Sequence, residues 1–521
     1  MFDVQHSSDD SENSLNSSFS RSSLPECGWE FQKKHIFVMS SAGKPIFSRY
    51  GDEQDLVATF GLMQAMISVV EDSGDHIQCM KAGDRTIVFF IKKTLYFVSI
   101  SSTNEPEIIL YQQLQFLYSQ ILLALTSKVH DVLTSNPSCD LRQLLGADTG
   151  RLMQAACASL ITPPNIAFEC VQSFTCRRSL REELQLPLQT CVLASNAALG
   201  MVLFNESLVG FQANPGSSLQ LATADVVLLT HFVSHSSSLQ TQDQHWLPLC
   251  LPAFNERGFL QAYVSSLRAE GGPALTLVLL AASADPEEFT ALHRQGGLLG
   301  ETLRQARPGG SCLERLGLLT SLQTRTVERL QQGQGAAHLL FKWRPCHPAD
   351  RAPLPAQFVT AGGPEKLGLG TEAARDRLWS HYQRLAVRTR RGASGPESAF
   401  FAPDPTAACL LLPTNPNPSP GPAGGALARW TDKGEPSAGP GMAVELERVR
   451  WDPLQACSQP AADHALAYTV LADGLILVAL ASLESELFVT FAGQMTPLEA
   501  CTRADHLSRA IRLELRDLFV T

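Results

Sequence analysis

One order of predicted elements occurs three times along the chain, and this repetition limits the possible fold more than any other feature. In the first copy, His35 to Ser40 and Ile46 to Tyr50 are rich in β-formers and flank a turn, which predicts a hairpin. An amphipathic helix is predicted from about Glu53 to Asp72, and a second one from about Pro106 to Leu133. Between the two helices, three strands are predicted at His76 to Ala82, Thr86 to Ile91 and Leu95 to Ser101.

The second copy begins near Leu188. We interpret Thr190 to Ala194 and Met201 to Phe204 as its hairpin, and Ala224 to Ser238 as the helix that follows. Two strands and a closing helix can then be assigned, while one strand of the order is not located. These elements are Phe259 to Leu267, Leu275 to Ala281 and Pro286 to Ala306.

The third copy is interrupted. It has a first strand at His338 to Trp343 and a helix at Thr371 to Arg390. Residues 403 to 440 then contain nine prolines with many glycines and alanines, a composition that disfavours both helix and sheet. The remaining elements are three strands, Ala465 to Leu471, Leu475 to Leu480 and Leu487 to Phe491, and a final helix, Leu498 to Val520.

The repetition predicts an α+β fold, in which each copy forms an α/β sandwich of a five-stranded antiparallel or mixed sheet and flanking helices. Residues 1–28 form a Ser-rich acidic arm that we expect to be disordered, because such a composition buries too little apolar surface. We expect the domains at 29–135, 186–310 and 335–521, a helical connector at 136–185, and a Pro/Gly-rich insertion at 392–460.

Composition excludes several classes of protein. With 41 basic and 51 acidic side chains the formal net charge is −10, which argues against a protein that coats nucleic acid. Apolar runs of nine residues are far shorter than the roughly 18 to 20 that a spanning helix needs. The thirteen cysteines are scattered without a CxxC pair, as expected of reduced thiols. The first residues match neither a secretory signal nor a transit peptide, so a cytoplasmic location is expected.

Motifs for catalysis and for cofactor binding are weak or missing. Val38 occupies the position of the first glycine that a phosphate-binding loop ending at Gly43-Lys44 would need. The spacing of His231 and His235 suits two metal ligands on one helix face, but no third ligand accompanies them. There is no GxSxG segment. We therefore predict no covalent catalysis, no metal and no cofactor.

A cluster of arginines lies on the predicted helix of the third copy and gives an acidic protein a local basic surface. Two interpretations stay open, an anionic lipid surface, to which each cation would contribute about 1 kcal/mol, or a plain solvated helix face. The arginines are Arg375, Arg377, Arg384, Arg388, Arg390 and Arg391.

Three segments resemble one known family. Lys33 to Val38 together with Ser41 to Gly51 is similar to the opening of the Mon-one family of vacuolar fusion proteins. Asp140 to Gly146 resembles the family's DLRxLLxG segment, and Trp246 to Phe259 its WxPxCLPxFNxxGF segment. Weaker similarity covers Leu339 to Lys342, Gln357-Phe358 and Glu486 to Phe488, and Leu480 stands where the family pattern has a tryptophan.

The resemblance implies three longin domains, whose element order is the one repeated here. It also implies a heterodimer with a Ccz-one-like subunit that acts as a guanine nucleotide exchange factor for a late-endosomal Rab-seven-type GTPase. Such a dimer is recruited by a Rab-five-type GTPase and phosphatidylinositol 3-phosphate, and associates peripherally with endosome and vacuole membranes. The alternative is a non-catalytic longin-type adaptor or tethering scaffold.

From this resemblance we predict that the first hairpin and the helix after it bind the GTPase or the partner subunit. A purely structural role for the hairpin stays open, in which Gly43 and Pro45 make the turn and Arg49 is a solvated edge charge. The candidate residues are Lys44, Pro45, Ile46, Ser48, Arg49 and Tyr50.

Overall fold

A computed structural model describes most of the three copies. The predicted acidic arm, 1–28, and the predicted insertion, 392–460, lie outside the described residues. The described ranges are 31–51, 56–160, 164–217, 219–241, 243–268, 274–319, 325–344, 354–362, 372–391, 465–471, 474–482, 484–492 and 495–520.

The first module, residues 31–135, has one antiparallel five-stranded sheet in the order β2-β1-β5-β4-β3. The predicted hairpin, strands and first helix are confirmed, whereas the predicted last helix forms two separate helices. It breaks at Thr126, whose positive φ of 58° ends the first of them. The elements are β1 (Lys34–Ser40), β2 (Pro45–Ser48), α1 (Val57–Asp72), β3 (Cys79–Ala82), β4 (Arg85–Lys92), β5 (Leu95–Ser101), α2 (Glu107–Leu125) and α3 (Val129–Ser135).

A connector leads into the second module, Leu199 to Arg304. Its elements are α4 (Leu141–Ser159), α5 (Asn165–Phe168), β6 (Val171–Ser173) and α6 (Arg178–Ser195). Those of the second module are β7 (Leu199–Phe204), β8 (Ser207–Ala213), α7 (Thr223–His235), α8 (Ser238–Thr241), β9 (Gln244–Leu249), α9 (Pro252–Asn255), β10 (Leu260–Arg268), β11 (Ala274–Ala281) and α10 (Pro286–Arg304).

The strand predicted at Thr190 to Ala194 is wrong, because these residues continue helix α6 to Ser195. The buried side chains of α6 recur at helical spacing, at Leu184, Leu188 and Cys191, and this face packs on the sheet. The true hairpin is β7 and β8. The strand that the sequence did not locate is β9, which pairs with β10 at the edge of the sheet.

The third module runs from Ala336 to Leu513 and is preceded by two helices. The predicted final helix ends at Leu513, and a short helical turn follows it. The elements are α11 (Cys312–Leu319), α12 (Arg325–Gly333), β12 (Ala336–Trp343), β13 (Gln357–Ala361), α13 (Glu372–Arg391), β14 (Ala465–Val470), β15 (Ile476–Ala481), β16 (Ser485–Phe491), α14 (Pro497–Leu513) and α15 (Leu515–Leu518).

The second and third modules share one sheet of eleven strands, in the order β14-β15-β16-β12-β13-β6-β8-β7-β11-β10-β9. Each module keeps the strand order of the first module, and the two meet at β6. This short strand from the connector pairs in parallel with β13 on one side and with β8 on the other. The fold is therefore α+β as predicted, with two of its three sheets fused into one.

The last described residues, 518–520, stabilise this junction. The buried side chain of Gln357 accepts a hydrogen bond from the Val520 backbone N–H (2.9 Å) and donates one to its carbonyl (2.8 Å). The Ser173 hydroxyl donates to the carbonyl of Leu518 (2.6 Å). Phe519 packs against Phe341, with 6.0 Å between the ring centroids. The segment thus contacts both β6 and β13.

We expect Gln357→Leu to lower the free energy of unfolding by about 1–3 kcal/mol, because it leaves the buried backbone groups of Val520 without partners. Exchange of the amide hydrogens of β6 and β13, followed by mass spectrometry, measures the effect. The matched control is Gln332→Leu on the exposed face of α12, which should leave this exchange unchanged.

Helix α2 alone, among the described residues, is long and apolar enough to cross a membrane by length and composition. However, 61% of that stretch is buried within the protein. It packs on β4, β5 and α4. Core helices of this kind meet the same criterion, and we interpret α2 as one of them.

Candidate functional site: the first hairpin and its helix

The turn of the first hairpin is tightly held. Gly43 has a φ of +74°, which glycine adopts without the steric cost of a side chain. The backbone N–H of Lys44 donates to the Ser40 hydroxyl (3.2 Å), and its ammonium group donates to the carbonyl of Ser138 before α4 (2.9 Å). Pro45 opens the edge strand, where it offers no N–H to a further strand.

Two of the candidate residues point inward. Ile46 is 6% exposed and Ser48 is 8% exposed. Ile46 belongs to the core below the sheet, and the Ser48 hydroxyl donates to the carbonyl of Tyr50 (2.7 Å). A protein docking on the hairpin would therefore meet Lys44 and Pro45, whereas Ile46 and Ser48 would act through packing.

Arg49 and Tyr50 form the end of the hairpin that faces the connector. The Arg49 guanidinium lies 5.0 Å from the centroid of the Tyr50 ring, within the range of a cation–π contact. The Tyr50 ring stacks on His35 at 5.7 Å, and Gln154 of α4 donates to the carbonyl of Arg49 (3.1 Å). Burial, assisted by the charge of Arg49, lowers the pKa of His35 to about 3, so this imidazole is neutral at pH 7.

Helix α1, which follows the hairpin, has an exposed apolar face. Its inner side chains, Phe60, Met63 and Ile67, are buried against the sheet. No charged residue occurs from Val57 to Val70. A side chain added at Gly61 would meet nothing within 4 Å. The outward residues are Val57, Ala58, Gly61, Leu62, Ala65 and Val69, with exposed fractions of 57% for Val57, 59% for Leu62 and 70% for Val69.

The helix after the hairpin was predicted to bind another protein, but its outward face was not identified from the sequence. The sequence feature that indicates this face is the lack of any charged residue along the helix, since the solvent face of a surface helix ordinarily carries polar or charged residues. Contiguous exposed apolar surface of this kind commonly marks a contact with another protein.

A buried ion pair lies within the first module next to the hairpin. The ammonium group of Lys34 contacts the carboxylate of Glu105, and the two side chains are 0% and 5% exposed. Lys34 also donates to Gln113 (2.8 Å), and Glu105 accepts from Gln113 (2.9 Å) and Thr103 (2.5 Å). The four side chains form a closed polar network inside an apolar core.

The pKa shifts in this network follow from burial and from the pairing. Burial lowers the pKa of Lys34, and the attraction of Glu105 offsets part of the effect. Burial alone would raise the pKa of Glu105, but Lys34, Thr103 and Gln113 together hold that pKa below its usual value. A carboxylate with a depressed pKa stabilises the fold above its ordinary pKa and loses that contribution as the pH falls through its folded-state pKa.

We therefore expect the stability of the protein to fall below about pH 4.5 partly through Glu105. In Glu105→Gln, the loss of stability between pH 7 and pH 3 should be smaller than in the wild type, although the variant is less stable at pH 7. Urea unfolding of the first module at several pH values, followed through the amide exchange of β1 and α2, measures the difference. An unchanged pH dependence would contradict this assignment.

Helix α13, which carries the arginine cluster, contacts the first module. Arg384 donates two hydrogen bonds to the carbonyl of Asn104 (3.1 and 2.9 Å), and Asp376 forms an ion pair with Lys33 (3.0 Å). Arg375 and Arg377 are exposed. The side chains of the other three predicted arginines, Arg388, Arg390 and Arg391, lie outside the described residues.

The predicted histidine pair takes part in packing. His231 and His235 stack at 4.4 Å, and the ring of His231 bonds to Gln120 of α2 (3.1 Å). Burial lowers the pKa of His231 to about 3. Across the described part of the chain, no cluster of three His, Cys, Asp or Glu side chains could hold a metal ion.

Comparison with known proteins gives two matching family models. Residues 34–153 match the model described as the first longin domain of FUZ, MON1 and HPS1, and residues 196–295 match the second longin domain of the same proteins. The two matches correspond to the first and second modules.

Full-length relatives are similar over a larger part of the chain. A vacuolar fusion protein MON1 homolog of Oryza sativa subsp. japonica is 37% identical over 45% of this chain and 41% of the relative, and one of Arabidopsis thaliana is 35% identical over 45% and 38%. Vacuolar fusion protein MON1 homolog B of Homo sapiens is 32% identical over 69% of this chain and 65% of the relative. The chain spans about two fifths of the length of the plant relatives.

Proposed function

The chain belongs to the MON1 family of vacuolar fusion proteins, and on that basis we propose that it acts in vacuolar trafficking as one subunit of a heterodimeric guanine nucleotide exchange factor. Its partner would be a Ccz-one-like subunit, and its substrate a late-endosomal Rab-seven-type GTPase. In this role it would drive endosome maturation and fusion with the vacuole or lysosome.

The observation that carries the proposal is the exposed apolar face of α1 beside the hairpin. The outer residues of α1 include Leu62 and Val69, which are 59% and 70% exposed. A helix face of this kind suits a second domain of similar shape, because burying it removes apolar surface from water on both sides. The partly exposed residues of the hairpin, Lys44, Pro45, Arg49 and Tyr50, would then lie at the rim of the joint surface.

Exchange requires no nucleophile. A factor that binds the nucleotide-free GTPase better than the nucleotide-bound form weakens nucleotide binding by the same factor, through linkage. The surface only has to favour an arrangement of the switch loops in which contacts to phosphate and magnesium are lost. Such a protein needs a rigid, shaped surface, and the polar network around Lys34 supplies rigidity beneath the hairpin.

Recruitment by a Rab-five-type GTPase and by anionic phosphoinositide membrane belongs to the same proposal. Of the arginines on α13, Arg375 and Arg377 have exposed side chains that could approach a lipid surface. Arg384 is engaged with Asn104, so we expect it to contribute less. Binding to liposomes with and without phosphatidylinositol 3-phosphate tests this part, and equal binding to neutral liposomes would contradict it.

The central test is release of fluorescent GDP from a Rab-seven-type GTPase on membranes. It compares this chain alone, the Ccz-one-like subunit alone and the two together. Faster release only with the pair is the expected result. A well-formed pair without activity on a panel of Rab proteins would favour the adaptor or tethering function instead.

The variant Leu62→Asp tests the surface. A charge placed on α1 should weaken the heterodimer at least about tenfold, because it would be buried there without a partner, and exchange should fall accordingly. Leu298→Asp on α10 is the matched control, since Leu298 is also a half-exposed leucine on a helix. Co-purification of the two subunits and GDP release are the readouts. Equal GDP release with Leu62→Asp and with the wild type would contradict the placement of the heterodimer contact on α1.

A further inference from the structure

A cleft of about 490 Å³ lies between the first and second modules, away from the hairpin. Its floor is formed by β4 and α2 of the first module, and its opposite wall by α5, α7 and α9. The short helix α9 is part of the WxPxCLPxFNxxGF segment. This segment is not part of the proposed exchange surface.

The cleft is rich in hydrogen-bond acceptors. Glu169, Asp225 and Glu256 line it, against a single basic residue, Lys92, among its described lining residues. Asn165 is 6% exposed, and its side-chain oxygen has no hydrogen-bond partner. A buried acceptor without a partner destabilises the folded protein, and a ligand that donates a hydrogen bond would remove that cost.

A second acceptor in the cleft is also unpaired. The side-chain oxygen of Gln112 on α2 is buried and has no partner. The carboxylate of Asp225 is fixed in place by the backbone N–H groups of Ala253 (3.1 Å) and Phe254 (2.8 Å) at the start of α9. Asp225 is thus engaged within the protein, and the acceptors left to one ligand are the two amide oxygens and the carboxylates of Glu169 and Glu256.

Aromatic rings form the floor. Phe90 contacts Tyr111 edge to face at 5.2 Å, and Tyr118 at 5.7 Å. Burial and the nearby carboxylate of Glu256 raise the pKa of Tyr118 to about 12, as expected in a negative field. Aromatic faces next to carboxylates attract cations, and they favour the planar guanidinium group over the ammonium group.

We propose that this cleft binds a basic peptide segment of a partner protein, and that an arginine side chain of the segment enters it. The guanidinium has five N–H donors in one plane, which suits the unpaired oxygens of Asn165 and Gln112 together with the carboxylates of Glu169 and Glu256. The volume exceeds that of one guanidinium, so backbone on either side of the arginine also fits. The proposal does not depend on exchange activity.

Saturation-transfer NMR on the full chain tests it with four probes, since the method detects weak ligands of large proteins. The probes are acetyl-Ala-Arg-Ala-amide, the same peptide with citrulline or lysine in place of arginine, and free arginine. We expect saturable binding of the arginine peptide, with citrulline, which is neutral, at least about tenfold weaker. Equal binding of citrulline or lysine peptide would overturn the guanidinium assignment, and equal binding of free arginine the peptide assignment.

Variants locate the site on the protein. The double variant Glu169→Gln, Glu256→Gln should weaken the arginine peptide about fivefold or more, and Gln112→Met should weaken it without any change of charge. The control is Glu287→Gln, Glu301→Gln on the exposed surface of α10, which removes the same two charges and should change nothing. Full binding to the cleft variants would overturn the proposal. Circular dichroism verifies that each variant is folded.

Discussion

Replacing Lys34 by methionine is expected to lower the free energy of unfolding of the first module by about 3–5 kcal/mol. The change leaves the carboxylate of Glu105 buried and without its counter-charge. Such a carboxylate must either take up a proton or draw water into the core, and both cost free energy. Amide exchange of β1 and α2 is the appropriate measurement, because a protein of several modules does not unfold in one step.

Two controls accompany this variant. The double variant Lys34→Met, Glu105→Leu should recover most of the lost stability, since it removes both charges and fills the space with apolar atoms. Arg509→Met on α14 breaks an exposed ion pair with Asp505 (2.7 Å) and should cost no more than about 1 kcal/mol. A Lys34→Met protein as stable as this surface variant would show that the pair contributes little.

Phe168→Ala is the second change with a large expected effect, about 3–5 kcal/mol on the third module. Phe168 ends α5 and is 1% exposed, and its ring meets Phe488 of β16 edge to face at 5.1 Å. Its backbone carbonyl accepts a hydrogen bond from the buried ammonium group of Lys342. Loss of the ring opens a cavity where the connector meets the third module.

The location of the effect distinguishes this prediction from general destabilisation. Amides of β12 and β16 should exchange faster, whereas those of β1 and β5 in the first module should be unchanged. Phe254→Ala is the matched control, because Phe254 is 40% exposed and its removal leaves no cavity. Faster exchange in the first module would contradict the local role of Phe168.

Periodicity predicted most of the fold because each element shows its buried face in the sequence. In α1 the inner residues Phe60, Met63 and Ile67 recur at helical spacing, and in β1 every residue is buried. The repeat also predicted that the modules share one order of elements along the chain. Periodicity could not predict the strand pairing that joins the second and third modules. The reason is that β6 has only three residues and its partner strands lie far away along the chain.

Two local errors have physical causes. Residues 190–194 are apolar enough to suggest a strand. They are helical because α6 packs on the sheet, although Pro187 lies within this helix. Strand β9 has Gln244, His245 and Pro248 in a run of six, so it shows no alternation of buried and exposed residues. As an edge strand it tolerates this composition.

The candidate sites differ in how far the sequence predicts them. The hairpin is one continuous segment, so the sequence could predict it, although the burial of Ile46 and Ser48 became visible only in the structure. The acceptor-rich cleft combines residues from β4, α2, α5, α7 and α9. No spacing in the sequence connects these elements, and only the packing of the first module on the second brings them together.

Strand β6 also has a consequence for synthesis on the ribosome. It can pair with β8 soon after that strand emerges, but its other edge must wait for Gln357, some 184 residues after Ser173 at the end of β6. At about 5–20 residues per second the edge stays open for roughly 10 to 40 s. During that interval the growing chain presents a bare parallel edge, which other nascent chains could pair with. We therefore expect the growing chain, but not the complete folded protein, to require protection of this edge by a chaperone.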